Sequence, residues 1–86
     1  CGTGIGVSIA CNKVKGAYAA CIHDVYQAQR AKLSNNANII TMGAQVVGIK
    51  LAEMMVKEYL TCGEFDTNGR SMPKVQRIVD YENEQK

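Results

Sequence analysis

The sequence predicts an α/β fold with a parallel sheet, because short apolar segments alternate with segments of helical periodicity along its 86 residues. The apolar segments, residues 17–23 and 38–42, have the length and composition of strands that are buried on both faces. The predicted order is turn, helix, strand, helix, strand, helix, helix, without an internal repeat. Two strands do not make a stable sheet alone. We therefore expect a further strand from sequence preceding Cys1 or from a partner chain.

The first predicted helix follows a glycine-rich turn. Gly2, Gly4 and Gly6 alternate with other residues in the first six positions, and residues 7–13 then carry a short helix that ends before Gly16. A turn of this kind leads the chain directly into the N-terminus of a helix.

The second helix lies between the two predicted strands. Asp24 directly follows the first strand and is a good N-cap for a helix that runs over residues 25–34. The asparagines at 35 and 36 are expected to end this helix. The second strand, residues 38–42, is rich in β-branched side chains and is closed by Gly43.

Two amphipathic helices complete the chain. The first covers residues 47–61 and ends at Cys62–Gly63, whereas the second begins near Pro73, a residue tolerated at the start of a helix. The whole chain is expected to be one domain, with sheet and helices in residues 1–63 and a separate C-terminal segment in residues 64–86. The positions predicted to face the interior are Leu51, Met54, Met55 and Tyr59 in the first helix and Val75, Ile78, Val79 and Glu82 in the second.

Charge and hydropathy exclude several classes of function. Ten Lys and Arg against eight Asp and Glu give a net charge of +2, which is too balanced for a nucleic-acid-binding protein. The longest uncharged stretches, residues 1–12 and 33–49, contain polar residues and are shorter than the ~20 apolar residues of a membrane span. No secretory signal opens the chain. The sequence therefore predicts a cytoplasmic protein that binds neither nucleic acid nor membrane.

The cysteines and the single histidine do not predict a metal site. The four cysteines are widely spaced and lack a CxxC pair, so a zinc site or a disulfide scaffold is not expected. Cys11, Cys21 and Cys62 are interpreted as small apolar packing residues. His23 could shuttle protons beside Asp24, but a capping or solvent-exposed role is commoner for an isolated histidine.

The first residues carry the clearest chemical signal. Glycines at positions 2, 4 and 6 allow backbone N–H groups to approach a ligand, and the following helix favours anions. The spacing is neither GxGxxG nor a P-loop, so nucleotide binding is not supported. Cys1 stands beside this turn, where its thiolate would be favoured and could act as a nucleophile or as a base.

Three separated motifs resemble one known family. CGTGIGVSIACNKVKG at residues 1–16, NNANIITMGAQVVG at residues 35–48 and EF..NGR at residues 64–70 are similar to ribose-5-phosphate isomerase B. This family also includes the galactose-6-phosphate isomerase subunits. The resemblance spans essentially the whole chain. It implies the C-terminal part of a Rossmann-like three-layer sandwich that starts at the active-site cysteine and ends in an amphipathic helix.

The resemblance also implies a reaction. In this family the cysteine of the CGTG motif, here Cys1, moves a proton between C1 and C2 of a sugar phosphate through an enediolate. The backbone amides around Gly2, Gly4 and Gly6 would hold the oxyanion, and Thr3 would hydrogen-bond nearby. No metal or organic cofactor is implied. Conversion of ribose 5-phosphate to ribulose 5-phosphate in the pentose phosphate pathway is the leading expectation.

The substrate contacts implied for the rest of the chain depart from the family pattern. Asn35 would contact a substrate hydroxyl, but Ser34 precedes it where the family has a histidine thought to help open the sugar ring. Arg70 and Lys74 would bind the substrate phosphate, often from the neighbouring subunit, which implies a homodimer or tetramer. Lys74 replaces an arginine and Ser71 replaces a histidine. Lysine supplies the charge but not the bidentate fork.

These departures leave alternatives open. The chain could isomerise another sugar phosphate, such as galactose or allose 6-phosphate, or it could be a non-catalytic partner subunit. A thiol redox domain is disfavoured because no second cysteine lies close to Cys1. The family begins with a strand that carries an Asp-His pair, and nothing here matches it. We therefore expect residues 1–86 alone to be inactive and prone to aggregate.

Overall fold

The computed structural model describes residues 1–85; Lys86, the last residue of the predicted C-terminal segment, lies outside the described residues. Four helices and two strands follow one another in the predicted order, which confirms the α/β class. Several boundaries shift: the first helix begins and ends two residues earlier than predicted, the second ends one residue earlier, and the third begins two residues later. Pro73 is the second residue of the last helix. The elements are α1 (Ile5–Cys11), β1 (Ala19–Cys21), α2 (Val25–Leu33), β2 (Ile39–Thr41), α3 (Ile49–Thr61) and α4 (Met72–Gln85).

The two strands pair in parallel, with Ala19 opposite Ile39 and Cys21 opposite Thr41. Each strand has three residues, fewer than predicted. Where the strands begin, a side-chain amide adds to the backbone hydrogen bonds between them. The N–H of Tyr18 donates to Oδ1 of Asn38 at 2.9 Å, and the N–H of Asn38 donates to the carbonyl of Tyr18 at 3.0 Å. The sheet is therefore short, and its entrance is held by asparagine side chains.

Helices cover both faces of the sheet. Ala20 and Ile40 form a strand pair and pack against the core cluster beneath α2 and α3. Cys21 and Thr41 point to the opposite face, where Oγ1 of Thr41 donates to the carbonyl of Gly4 at 2.8 Å, just before α1. The three layers of the expected Rossmann-like sandwich are present.

Helix α2 is set by local signals that the sequence predicts. Oδ1 of Asp24 accepts a hydrogen bond from the N–H of Gln27 at 2.7 Å, which is the expected N-cap. Asn36 adopts a left-handed conformation with φ of 53° and turns the chain away from the helix axis. Ala28 and Ala31 are the buried residues of α2.

The core lies between α2, α3 and one face of the sheet. Met55 and Tyr59 lie one helical turn apart on α3 and face the alanines of α2. The hydroxyl of Tyr59 donates to the carbonyl of Ala37, so the polar end of this ring is satisfied. The buried apolar cluster is Ile22, Ala28, Ala31, Ala37, Met55 and Tyr59.

Two residues predicted to face the interior are exposed instead. Met54 is 51% exposed because the buried stripe of α3 follows Met55 and Tyr59, and Met54 lies about 100° around the helix from it. Ile78 on α4 is also 51% exposed, since α4 buries only Val75 and Glu82. None of the helices within residues 1–85 is long and apolar enough to span a membrane.

Gly4→Ala in the complete protein is expected to be strongly destabilising. Gly4 has φ of 80°, and a Cβ there would lie 2.7 Å from the backbone carbon of Met42. The left-handed conformation alone costs a non-glycine residue about 1–3 kcal/mol, and the clash adds to this cost. Urea denaturation measures the effect.

Gly6→Ala is the matched control, because a Cβ at Gly6 meets nothing within 4 Å. Alanine should stabilise α1 by about 0.5–1 kcal/mol. Equal unfolding midpoints for the two variants would contradict the close backbone contact at Gly4.

Candidate active site

The glycine-rich turn lies at the carboxyl end of the two strands. The N–H of Ala44 donates to the carbonyl of Cys1, and the N–H of Gln45 donates to the carbonyl of Gly2, both at 2.9 Å. A Cβ on Gly43 would lie 2.6 Å from the carbonyl oxygen of Gly2, so the two turns touch through backbone atoms. In open α/β sheets this edge is where ligands bind.

The carbonyl groups of this turn have hydrogen-bond partners elsewhere in residues 1–85, whereas its amide groups do not. The carbonyls of Cys1, Gly2 and Gly4 each accept a hydrogen bond from the body of the protein. The carbonyl of Thr3 accepts a weak bond from Sγ of Cys21 at 3.8 Å. Within residues 1–85, no backbone or side-chain acceptor bonds the amides at positions 2, 3 and 4. The turn therefore directs its oxygens inward and keeps three N–H donors available for an anion.

The predicted residues of this turn take different places. Cys1 is exposed, with its thiol at the edge of the turn. Oγ1 of Thr3 accepts a hydrogen bond from the N–H of Ile5 at 3.2 Å and so caps the start of α1. Gly6 belongs to the first turn of α1 rather than to the glycine turn.

Gln45 lies beside the glycine turn, although the sequence analysis did not predict it. Its side chain lies 3.4 Å from the place where a Cβ on Gly2 would be. Its position just after the Gly43 turn was the available signal.

A second group of predicted residues meets in a pocket between the end of α2 and the start of α4. Asn35, Arg70 and Lys74 share this pocket, which has a volume of about 690 Å³. The pocket combines two cations with hydroxyl and amide groups, which suits a phosphorylated polyol. Its lining residues are Ser34, Asn35, Arg70, Ser71, Lys74, Val75 and Ile78.

Ser34 has a partner that the sequence analysis did not predict. Nε of Arg30 donates to Oγ of Ser34 at 2.7 Å across one turn of α2. The i, i+4 spacing of the two residues was the available signal. The guanidinium thus engages the serine hydroxyl where it borders the pocket.

The two groups, the turn of Cys1 and the pocket of Asn35, lie beyond opposite ends of the strands. The pocket of Asn35 precedes β2, whereas the turn of Cys1 contacts the residues that follow β2. Three residues of strand separate these ends by about 10 Å, before the flanking turns are counted. Within one copy of the chain, Cys1 and the pocket of Arg70 and Lys74 therefore lie beyond opposite ends of the two strands.

The histidine and the other three cysteines occupy ordinary structural positions. His23 is exposed at the end of β1, and its backbone N–H donates to Oε1 of Gln27 at 2.6 Å. Cys11, Cys21 and Cys62 are partly buried free thiols. In residues 1–85, no three side chains of His, Cys, Asp or Glu converge on a common point.

Comparison with known proteins decides the family. The family model described as Ribose/Galactose Isomerase matches residues 1–78. The chain belongs to this family. Its likeness to solved members extends over the whole chain, so the Rossmann-like fold expected from the three motifs is confirmed.

Individual members differ in the sugar that their names give. The chain is 55% identical over 82 residues to D-erythrulose-4-phosphate isomerase 2 of Mycolicibacterium smegmatis, a match that covers 95% of this chain and 53% of the relative. It is 50% identical to D-erythrulose-4-phosphate isomerase of Pectobacterium atrosepticum, over 100% of this chain and 55% of that protein. Ribose-5-phosphate isomerase B of Escherichia coli is 39% identical, over 95% and 54%.

Solved structures agree with this assignment. The type B ribose 5-phosphate isomerase of Leishmania infantum superimposes with a TM-score of 0.93 at 38% identity, covering 100% of this chain and 56% of that one. Ribose-5-phosphate isomerase B of Clostridium thermocellum gives 0.91 at 41% identity, covering 100% and 57%. The chain thus spans about half the length of the relatives it matches.

If this pocket binds the phosphate of a sugar-phosphate substrate, Arg70→Ala in the complete protein is expected to raise KM for that substrate about tenfold to a hundredfold, because a charged hydrogen bond contributes about 1.5–3 kcal/mol. Turnover of the same sugar without its phosphate should change little. Lys74→Arg should be tolerated or should tighten binding, since a guanidinium pairs with phosphate in a bidentate manner.

Arg77→Ala removes a cation from the exposed side of α4 and is the control for a general charge effect. Equal losses for the phosphorylated and the unphosphorylated sugar, or equal losses for Arg70→Ala and Arg77→Ala, would refute the phosphate-binding role.

Proposed function

We propose that the complete protein interconverts an aldose phosphate and a ketose phosphate, with the thiolate of Cys1 as the base. The thiolate takes a proton from the carbon beside the carbonyl, and the electron pair moves onto the carbonyl oxygen to form an enediolate. The proton then returns to the former carbonyl carbon. The hydroxyl on the other carbon gives its proton to the enediolate oxygen and becomes the new carbonyl. The observation that carries this proposal is the set of three amides left available beside Cys1. Donors already aimed at a developing oxyanion contribute about 3–4 kcal/mol each in other enzymes.

The separation of the two groups supports an active site shared between copies. The turn of Cys1 supplies a base and oxyanion donors, whereas the pocket of Arg70 and Lys74 supplies cations for a phosphate. A sugar phosphate must reach both groups at once, and one copy holds them beyond opposite ends of the strands. We therefore propose that the cations come from a second copy, so that a homodimer is the smallest active unit and a tetramer would contain two such pairs.

Position 34 bears on the sugar. Ribose 5-phosphate closes into a ring, and its ring must open by acid–base catalysis before an enediolate forms. Among residues 1–85, the lining of the pocket of Asn35 includes no histidine, and a serine hydroxyl is a poor acid or base near neutral pH. The hydroxyl of Ser34 is also engaged by Nε of Arg30.

A four-carbon sugar phosphorylated on O4 does not need ring opening. Its remaining hydroxyls cannot form a five-membered or six-membered ring with the carbonyl, so the reactive open chain is the resting form. Two relatives, at 55% and 50% identity, carry the name D-erythrulose-4-phosphate isomerase. We therefore place a tetrose 4-phosphate ahead of ribose 5-phosphate, and ahead of the galactose and allose 6-phosphates, as the substrate of this chain.

Cys1→Ser in the complete protein should abolish isomerisation while fold and substrate binding persist. A hydroxyl is far too weakly acidic to replace the thiolate as the base. Aldose-to-ketose conversion and the entry of solvent deuterium at C2 measure the loss.

Cys62→Ser is the matched control, since Cys62 lies at the C-cap of α3, away from the glycine turn. Near-normal turnover by Cys1→Ser would remove Cys1 from the role of base. Absence of turnover in the wild-type homo-oligomer, with activity restored by a related chain, would favour the non-catalytic partner subunit instead.

Ser34→Ala should leave isomerisation of erythrulose 4-phosphate nearly unchanged, because an open-chain substrate needs no acid or base at this position. Ser34→His should raise kcat/KM for ribose 5-phosphate, relative to the four-carbon substrate, by about tenfold to a hundredfold. Initial rates with both sugars give this ratio. A wild-type protein that prefers ribose 5-phosphate would contradict the four-carbon assignment and leave the isomerase proposal intact.

A further inference from the structure

Helix α4 buries a carboxylate that the proposed reaction does not use. Glu82 is 9% exposed, and no other acidic side chain within residues 1–85 is buried. A buried charge is costly unless hydrogen bonds compensate for the lost water. Oε2 of Glu82 accepts a hydrogen bond from the hydroxyl of Tyr18 at 2.6 Å and another from the N–H of Gly16 at 3.2 Å. These bonds join the end of α4 to the segment that enters β1.

The segment that receives Glu82 is itself fixed to the sheet. The side-chain amide of Asn38 donates to the carbonyl of Gly16 at 2.8 Å and accepts from the N–H of Tyr18 at 2.9 Å. The N–H of Asn38 also donates to the carbonyl of Tyr18 at 3.0 Å. Asn38 lies three residues after Asn35 of the pocket. Glu82 therefore binds residues 16–18, which Asn38 in turn ties by hydrogen bonds to the segment that carries Asn35.

Helix α4 has two buried points of attachment. Val75 adjoins Lys74 at the pocket, and Glu82 lies seven residues further along the helix, a distance of about 10 Å. Between them, Ile78 and Tyr81 are 51% and 60% exposed. A helix held at Val75 alone could pivot about that point. The second attachment fixes its direction, and with it the positions of Arg70 and Lys74.

We propose that Glu82, with Tyr18 as its donor, is a positioning residue that orients α4 so that Lys74 and Arg70 meet the phosphate of the substrate. The proposal rests on the phosphate-binding role given above to the pocket of Asn35. A binding group must be held within about 0.5 Å of its working position, which a pivoting helix does not allow. The hydrogen bond to Glu82, with burial, raises the pKa of Tyr18, so its hydroxyl remains a donor at neutral pH and beyond the pH at which an ordinary tyrosine ionises.

The test uses the complete protein and variants that remove both, one or neither of the hydrogen bonds to Glu82. Glu82→Ala removes the acceptor, whereas Glu82→Gln keeps one oxygen that can accept both hydrogen bonds. Tyr18→Phe removes one donor alone. Glu84→Ala, on an exposed residue of the same helix, is the control for charge. We measure KM and kcat with erythrulose 4-phosphate, binding of inorganic phosphate, and hydrogen exchange of the α4 amides.

Glu82→Ala should raise KM and weaken phosphate binding about tenfold, with kcat little changed and exchange faster along α4. Glu82→Gln should restore most of the affinity, Tyr18→Phe should be intermediate, and Glu84→Ala should match the wild type. A structural role alone would lower stability without this split between KM and kcat and without rescue by glutamine.

Two results would overturn the proposal. One is unchanged phosphate binding in a folded Glu82→Ala or Tyr18→Phe variant; the other is an equal loss with Glu84→Ala. If Glu82→Ala does not fold, Tyr18→Phe still decides the matter, because it removes one of the two hydrogen bonds to Glu82 without removing the carboxylate. A wild-type protein that binds phosphate but isomerises no sugar would refute the isomerase proposal, whereas the phosphate and exchange measurements would still test Glu82.

Discussion

Direct backbone contact between two turns is the constraint on which the site depends. Gly4 and Gly43 lie where a Cβ would fall 2.7 Å and 2.6 Å from backbone atoms of the other turn. The carbonyls of Cys1 and Gly2 accept hydrogen bonds from the turn of Gly43, and the carbonyl of Gly4 accepts one from Thr41. Within residues 1–85 the amides of the glycine turn at positions 2, 3 and 4 have no hydrogen-bond acceptor, and they lie next to Cys1 in the chain. The glycines do more than relax the chain: their lack of a side chain sets the direction of the donors that an enediolate would need.

The sheet separates this base and its donors from the cations that would hold the phosphate. Arg70 and Lys74 lie beside Asn35, at the edge where the strands begin. The division has a chemical use, because the charged pocket can fix a phosphate without crowding the carbon that loses its proton. It also explains why α4 matters although it packs little against the body of the chain. Its direction decides where the cations stand, and Glu82 holds that direction.

Ser34 stands where the family has a histidine, and the proposed substrate accounts for this difference because an open-chain sugar needs no acid or base for ring opening. A ring-forming sugar needs an acid or base before isomerisation, whereas a tetrose 4-phosphate reaches the enediolate from its open chain. Ser34 and Arg30 fit the second case, since a guanidinium engages the hydroxyl at 2.7 Å. In the proposed reaction, Cys1 and the amides beside it would act in the same way on either sugar. A change in one pocket residue would then suit the same proton transfer to a shorter substrate.

Features that depend on neighbouring residues could be predicted from the sequence. The order of elements, the cap at Asp24 and the end of α2 at the asparagines follow from backbone dihedrals and hydrogen bonds that span a few positions. The motif around Cys1 was equally local. The tertiary structure was needed to show that Met54 is exposed, that Lys74 reaches the residues ending α2, and that Glu82 accepts hydrogen bonds from Tyr18 and Gly16. Those outcomes depend on how distant segments share a limited interior, and periodicity along one helix does not contain that information.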